Sequence, residues 1–150
     1  MLLEKRFGHT DTRAYENGSA LSWEDVREWI NAGGQVGGHT MSHPILTKCS
    51  KEQAIEEITQ CKVVIDRTLG YKARHFAYPN GDWNEGVVWM VRNAGYQTAR
   101  TARHGWVTLD SDCFKLPVMG VSDDADLGKL ALQVTGVWHT FRTGRLPSLR

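Results

Sequence analysis

The sequence is short of the features that mark exported, membrane-spanning or nucleic-acid-binding chains. Of its 150 residues only three are cysteine, Cys49, Cys61 and Cys113. An odd number with no CxxC pair excludes a zinc ribbon and a dithiol redox centre, and reads as free thiols in a reducing compartment. No apolar run approaches the roughly 20 residues of a membrane span. The opening stretch MLLEKRFGHTDTR lacks the apolar core and small-residue cleavage site of an export signal, so a cytoplasmic location is the default expectation. A dominant charge is missing too: 18 Lys+Arg against 17 Asp+Glu leave a formal charge of +1. That removes the electrostatic argument for nucleic acid or an anionic bilayer as a partner. No repeat, low-complexity tract or Pro/Gly/Ser linker divides the chain.

What remains is an ordinary globular composition, 41% hydrophobic and 23% charged, with six tryptophans. The length suits one domain over residues 1–150, with 1–20, polar and without a period, expected as loop. Ser22 is placed to cap a helix, Asp25 standing three residues on, and Trp23, Val26, Trp29 and Ile30 share a face. Gln35 to His39 reads as a strand whose glycines allow a close approach. Ser50, with Gln53, opens a longer helix with the stripe Ala54, Ile58, Cys61 and Ile65, closed by Gly70. A strand follows over 73–78, ending in Pro79-Asn80-Gly81. A helix capped by Asn84 runs to Asn93, and further strands are expected over 96–101 and 114–121, then a helix over 124–141. Trp23, Trp29, Trp89 and Trp138 sit on helical faces and are expected in the core. The acids Asp110, Asp112, Asp123, Asp124 and Asp126 lack calcium-loop spacing and read as loop and cap residues. Alternating helices and strands imply parallel pairing with crossover helices. In such folds chemistry gathers at the carboxyl ends of the strands.

Two strand ends carry unusual residues. His39 and His43, four apart in Gly38-His39-Thr40-Met41-Ser42-His43-Pro44, can bring two imidazoles to one ion in a tight turn. Imidazole suits several divalent metals, so the pair names none. Taken alone the spacing equally fits surface or capping histidines. The second end is Tyr78-Pro79-Asn80-Gly81-Asp82. There Tyr78 faces either a groove or the core, and Trp83 is either a sugar-stacking ring or an exposed loop tryptophan.

These two stretches resemble the polysaccharide deacetylases (the NodB-homology domain, carbohydrate esterase family 4). The segment from Gly37 to Pro44 is similar to that family's H-[ST]-x-x-H motif. The run Arg74-His75-Phe76-Ala77-Tyr78-Pro79-Asn80-Gly81 is similar to the third motif in its F-A-Y-P-x-G form, where Ala77 stands in place of an arginine many members carry. Leu21 to Val26 resembles the helix that leads into the histidine motif. The likeness covers roughly residues 20–122. It implies an α/β fold, a partial (β/α) barrel of mostly parallel strands with crossover helices. It also implies metal-assisted removal of acetyl groups from an N-acetylated carbohydrate polymer, with His39 and His43 on a divalent metal, Zn²⁺ being the first choice. Asn80 would supply an oxyanion-binding backbone N–H, and Tyr78, Pro79, Gly81 and Trp83 would line the substrate groove.

The family's first motif, T-F-D-D, which holds the general base and a third ligand, has no match here. Asp11 is the only upstream acid with a faint resemblance, and no general base is assigned. The late motif that supplies the general acid is missing as well, leaving His104 and His139 as the downstream candidates. The chain therefore reads as an N-terminally incomplete domain, a metal site weak without a third ligand. Three readings follow: a deacetylase; a glycan-binding or scaffold module without turnover; or a piece whose reading frame begins further upstream. An incomplete barrel is expected to self-associate or to be completed by the missing N-terminal part.

Overall fold

The computed structural model describes residues 21–121 and 126–135. Within them the order is α1 (Trp23–Asn31), α2 (Lys51–Leu69), β1 (His75–Ala77), α3 (Glu85–Asn93), β2 (Thr98–His104), β3 (Leu116–Val118) and α4 (Leu127–Val134), with single 3-10 turns at Leu46–Lys48 and Pro79–Gly81. The strands form a parallel sheet in the order β1-β2-β3. A further parallel bridge, Gly38 to Phe76, lays the segment before His39 along the free edge of β1. The architecture is the expected α/β one, a partial sheet that does not close into a barrel among the described residues.

Local chemistry explains where the helices begin. At α1 the Ser22 hydroxyl accepts the Asp25 N–H while the Asp25 carboxylate accepts the Ser22 N–H, the reciprocal box the sequence implies. At α2 the Ser50 hydroxyl accepts from Gln53 N–H, and Gly70 ends the helix in the left-handed region at φ 60°. At α3 the Asn84 carbonyl oxygen accepts from Val87 N–H. Asp126 caps α4. The expected continuation of that helix to 141 lies outside the described residues, as do Trp138 and His139.

The core lies between the sheet and the α2–α3 layer. Ala54, Ile58, Cys61 and Ile65 of α2 are all buried, as are Val87, Val88 and Val91 of α3. Along β1 and β2, Phe76, Ala99 and Thr101 turn into this layer, while His75, Ala77, Thr98 and Arg100 alternate to the other face. Ile58 and Val91 are fully buried, each contributing on the order of 1.5–3 kcal/mol. Entry to β1 is fixed by Asp66, which accepts the Ala73 N–H at 2.8 Å, and by Lys62, which donates to the Ala73 carbonyl at 2.6 Å.

Some expectations change. The strand expected over residues 35–39 narrows to the single Gly38 bridge, because two glycines press that segment against β1. The helix tryptophans are not core residues: Trp23, Trp29 and Trp89 are 45, 52 and 56% exposed. α1 buries none of its residues, and its Arg27 donates to the Thr68 carbonyl of α2. Cys49, Cys61 and Cys113 are free thiols, Cys61 buried in the core stripe.

Candidate metal centre

The site starts from a close approach. Gly38 N–H donates to the His75 carbonyl at 2.8 Å and Ala77 N–H returns the bond to the Gly38 carbonyl at 2.9 Å. A β-carbon on Gly37 would stand 2.7 Å from the His75 carbonyl oxygen, and one on Gly38 only 2.1 Å from the Tyr96 hydroxyl. Glycine is therefore required at both places, and the segment delivers the chain to the carboxyl end of the sheet.

There the loop turns sharply. Thr40 and His43 both adopt positive φ, 66° and 60°, a region costing about 1–3 kcal/mol for residues with a β-carbon. Pro44 disfavours a right-handed helical conformation at His43. The Thr40 hydroxyl donates to the His39 carbonyl and accepts the His43 N–H at 3.0 Å. The two imidazoles end with centroids 4.7 Å apart, edge to face at 75°. His39 Nδ1 lies 2.7 Å from the Ala77 carbonyl oxygen. A carbonyl only accepts, so Nδ1 donates this bond, and in the neutral ring the lone pair falls to Nε2. Backbone carbonyls orient metal-binding histidines in this way.

Ala77 is the last residue of β1, and the Pro79 bend follows directly. Gly81 N–H donates to the Tyr78 carbonyl at 2.8 Å, and Asn80 and Gly81 take φ of 55° and 75°. A β-carbon on Gly81 would stand 2.3 Å from the Ala102 nitrogen. Asn80 is exposed, and its N–H has no hydrogen-bond partner among the described residues. Histidine pair and bend thus meet at one point, joined by the His39–Ala77 hydrogen bond.

A sequence profile described as polysaccharide deacetylase matches residues 6–99. The chain belongs to that family. Relatives include the peptidoglycan-N-acetylmuramic acid deacetylase PdaC of Bacillus subtilis, 31% identical over 62 residues, 41% of this chain and 13% of PdaC. The peptidoglycan-N-acetylglucosamine deacetylase PgdA of Listeria monocytogenes is 31% identical over 128 residues, 72% of this chain and 27% of PgdA. Among solved structures, the deacetylase PplD of Streptococcus pyogenes shares the fold with a TM-score of 0.72 at 22% identity, covering 79% of this chain and 53% of that one. The chain spans about half or less of the length of each of these relatives.

In this deacetylase-family chain the remaining sequence-derived site residues fall unevenly. Tyr78 and Pro79 are both buried, Tyr78 taking the core alternative of the two open to it. The Tyr78 ring packs on Phe76 at 5.5 Å, and its hydroxyl donates to the Phe114 carbonyl at 2.9 Å. Burial pushes the Tyr78 phenol well above its ordinary pKa, with Asp112 adding to the effect. Gly81 is half-buried against β2. Trp83 is 38% exposed, with the Lys115 ammonium 4.7 Å over its ring and Glu85 holding that ammonium at 2.8 Å. His104 stands exposed at the carboxyl end of β2, its ring beside Gly120. Asp11 and His139 lie outside the described residues.

The donor set fits a divalent cation in part. Two imidazoles converge and one is oriented by a backbone carbonyl, but among the described residues no group of three His, Cys, Asp or Glu comes together. Catalytic zinc sites ordinarily use three protein ligands. Beside the pair, a cleft of about 380 Å³ is lined by Gly38, His39, His75, Ala77 and Arg100 on the face of the sheet that no described helix covers.

Sequence reasoning missed one residue. Glu57 of α2 accepts the N–H groups of Met41 and Ser42 at 2.8 and 2.9 Å and the Ser42 hydroxyl at 2.5 Å. Its partial desolvation favours the neutral form, but these three donors outweigh that and hold the carboxyl below its ordinary range. The available signal was its place beside the buried stripe, three residues after Ala54 and one before Ile58.

Proposed function

We propose that the chain forms part of a metal-dependent hydrolase that removes N-acetyl groups from a carbohydrate polymer of the chitooligosaccharide or peptidoglycan type. The observation that carries this reading is the bond from His39 Nδ1 to the Ala77 carbonyl, which sets a lone-pair-bearing imidazole beside His43 and next to the Pro79 bend. His39 and His43 would hold the cation, Zn²⁺ being the first choice. A divalent cation, when bound, supplies Lewis acidity that acidifies water and polarises an amide carbonyl.

The chain's own residues contribute the rest. The Ala77 carbonyl keeps the proton on His39 Nδ1. The exposed Asn80 N–H is free to receive negative charge developing on the acetyl oxygen, as oxyanion-binding donors do. His104, at the same end of the sheet, is a histidine able to return a proton to the departing amine. The base, a carboxylate by the family's chemistry, is assigned to no described residue.

The test is acetate release from N-acetylated chito-oligomers by the full chain, with and without Zn²⁺, before and after chelation, for wild type and His39→Ala. Zinc-dependent release lost on chelation and in His39→Ala is the expected result. Release indifferent to both would overturn the assignment. Zinc binding without release would favour the glycan-binding module, since a missing base removes roughly 10²–10⁴-fold of rate.

A further inference from the structure

We propose that Glu57 is a positioning residue for the His39–His43 pair, acting through the loop between them and touching neither imidazole. The proposal rests on reading that pair as a metal centre. Its basis is a convergence of three donors on one carboxylate: Oε2 accepts from Met41 N–H and Ser42 N–H, and Oε1 accepts from the Ser42 hydroxyl. All three donors come from Met41 and Ser42, two of the three residues between the histidines.

The loop needs such a contact. Thr40 and His43 both sit at positive φ, and the Thr40 hydroxyl bonds only to its immediate neighbourhood, the carbonyl of His39 and the N–H of His43. Glu57 ties the same loop to an element 15 residues away in the chain. That element is rigid: Ala54, Ile58 and Cys61, one turn either side of Glu57 and next to it, are buried against the sheet. Hydrogen bonds to a charged acceptor are roughly twice as strong as neutral ones. The carboxylate also has two oxygens, which the three donors require. Glutamine keeps the length but only one oxygen, and its amide nitrogen would face a donor. Alanine removes the contact altogether.

The experiment uses the full chain as wild type, Glu57→Gln, Glu57→Ala and, as a neighbouring control, Glu56→Gln. On metal-free protein, ¹⁵N NMR reads the His39 tautomer and hydrogen exchange reads the Met41 and Ser42 amides. Thermal unfolding reads the core, and a Co²⁺ titration reads affinity. In Glu57→Ala the two amides should exchange at least about tenfold faster, as expected for groups released from a folded contact. His39 should lose its fixed Nδ1–H form while the unfolding midpoint shifts little. Co²⁺ affinity should fall roughly 10–100-fold, the usual effect of removing an orienting partner. Glu57→Gln should lie between wild type and Glu57→Ala, and Glu56→Gln should match wild type. An unchanged His39 tautomer with unchanged amide exchange overturns the proposal. Should Glu57→Ala fail to fold, Glu57→Gln carries the same comparison. Absence of Co²⁺ binding in wild type would overturn the metal reading, while the tautomer and amide data would still decide the role of Glu57.

Discussion

The hydroxyl of Tyr96 occupies the space that a β-carbon on Gly38 would need, 2.1 Å from where that carbon would be built. The residue that brings the chain to His39 is therefore fitted to a core aromatic from β2's leading end. Gly38→Ala forces either the Tyr96 ring or the loop to move. Overpacking of this kind costs typically about 1–3 kcal/mol. Thermal or urea unfolding should register it, together with weaker Co²⁺ binding from the displaced His39. Unchanged stability and binding would mean that the site tolerates a shift here.

Tyr96 itself gives the complementary test. Its phenol is buried, pushed well up by burial and the nearby Cys61, and its hydroxyl makes no hydrogen bond of ordinary geometry among the described residues. The adjacent thiol is a weak partner at best. Tyr96→Phe should leave stability unchanged or raise it by up to about 1 kcal/mol, because an unsatisfied hydroxyl is removed. It should also soften the Gly38→Ala penalty in the double variant. Full rescue is not expected, since the ring carbon bearing the hydroxyl would still lie 2.7 Å from the new β-carbon. A marked loss of stability in Tyr96→Phe would show that the hydroxyl has a partner.

The bend after β1 carries a similar restriction. Gly81 has φ 75° and no room on its β-carbon side, where the Ala102 backbone nitrogen would be 2.3 Å away. Gly81→Ala combines an unfavourable backbone with a collision against β2, so a cost above about 1 kcal/mol is expected. Gly70, also at positive φ, has nothing within 4 Å of a built β-carbon. Gly70→Ala should cost less, and equal unfolding midpoints for the two variants would contradict the role assigned to the Ala102 contact.

These cases also mark how far the sequence was legible. Caps at Ser22, Ser50, Asn84 and the αL stop at Gly70 are local chemistry, and each was readable from a few neighbouring residues. The α2 stripe was readable because its period is that of one helix face. The loop's histidine spacing was visible too, and so was the glycine requirement before it. What the sequence did not reveal depends on contacts across the fold. Glu57 is 15 residues from Ser42, and the buried fate of Tyr78 depends on the Phe114 carbonyl, 36 residues on. The tryptophans of α1 and α3 stay about half exposed, Trp29 lying against the Gly34–Gln35 turn and Trp89 under the Lys51 ammonium, so helical periodicity alone placed them wrongly in the core.

The acid limb of the stability curve should report on Asp112. Its carboxylate accepts the Phe114 N–H at 2.8 Å and pairs with Lys115 and Arg92, which together hold it below the usual range, the backbone bond first. A depressed carboxylate stabilises the fold fully above its unfolded value, near 3.9, and that contribution is lost as pH falls through the lower folded value. Wild type should be more stable than Asp112→Asn at neutral pH, and the gap should close as the pH falls through that lowered folded value. A gap constant with pH would assign the effect to packing rather than charge.

The uncovered sheet gives the last prediction. β1, β2 and β3 bury one face against α2 and α3, while His75, Ala77, Thr98 and Arg100 occupy the other, which no described helix covers. Nearby loops expose Val107 and Leu109 at 60 and 97%. A parallel sheet is ordinarily covered on both faces, and its open edge is a template for pairing. The isolated chain is therefore expected to associate with itself, or with a segment that pairs along the open edge. Sedimentation velocity across a concentration series measures this directly. A single monomeric species at every concentration would show that residues outside the described set already cover that face, and would place the search for a base and a third ligand among those residues.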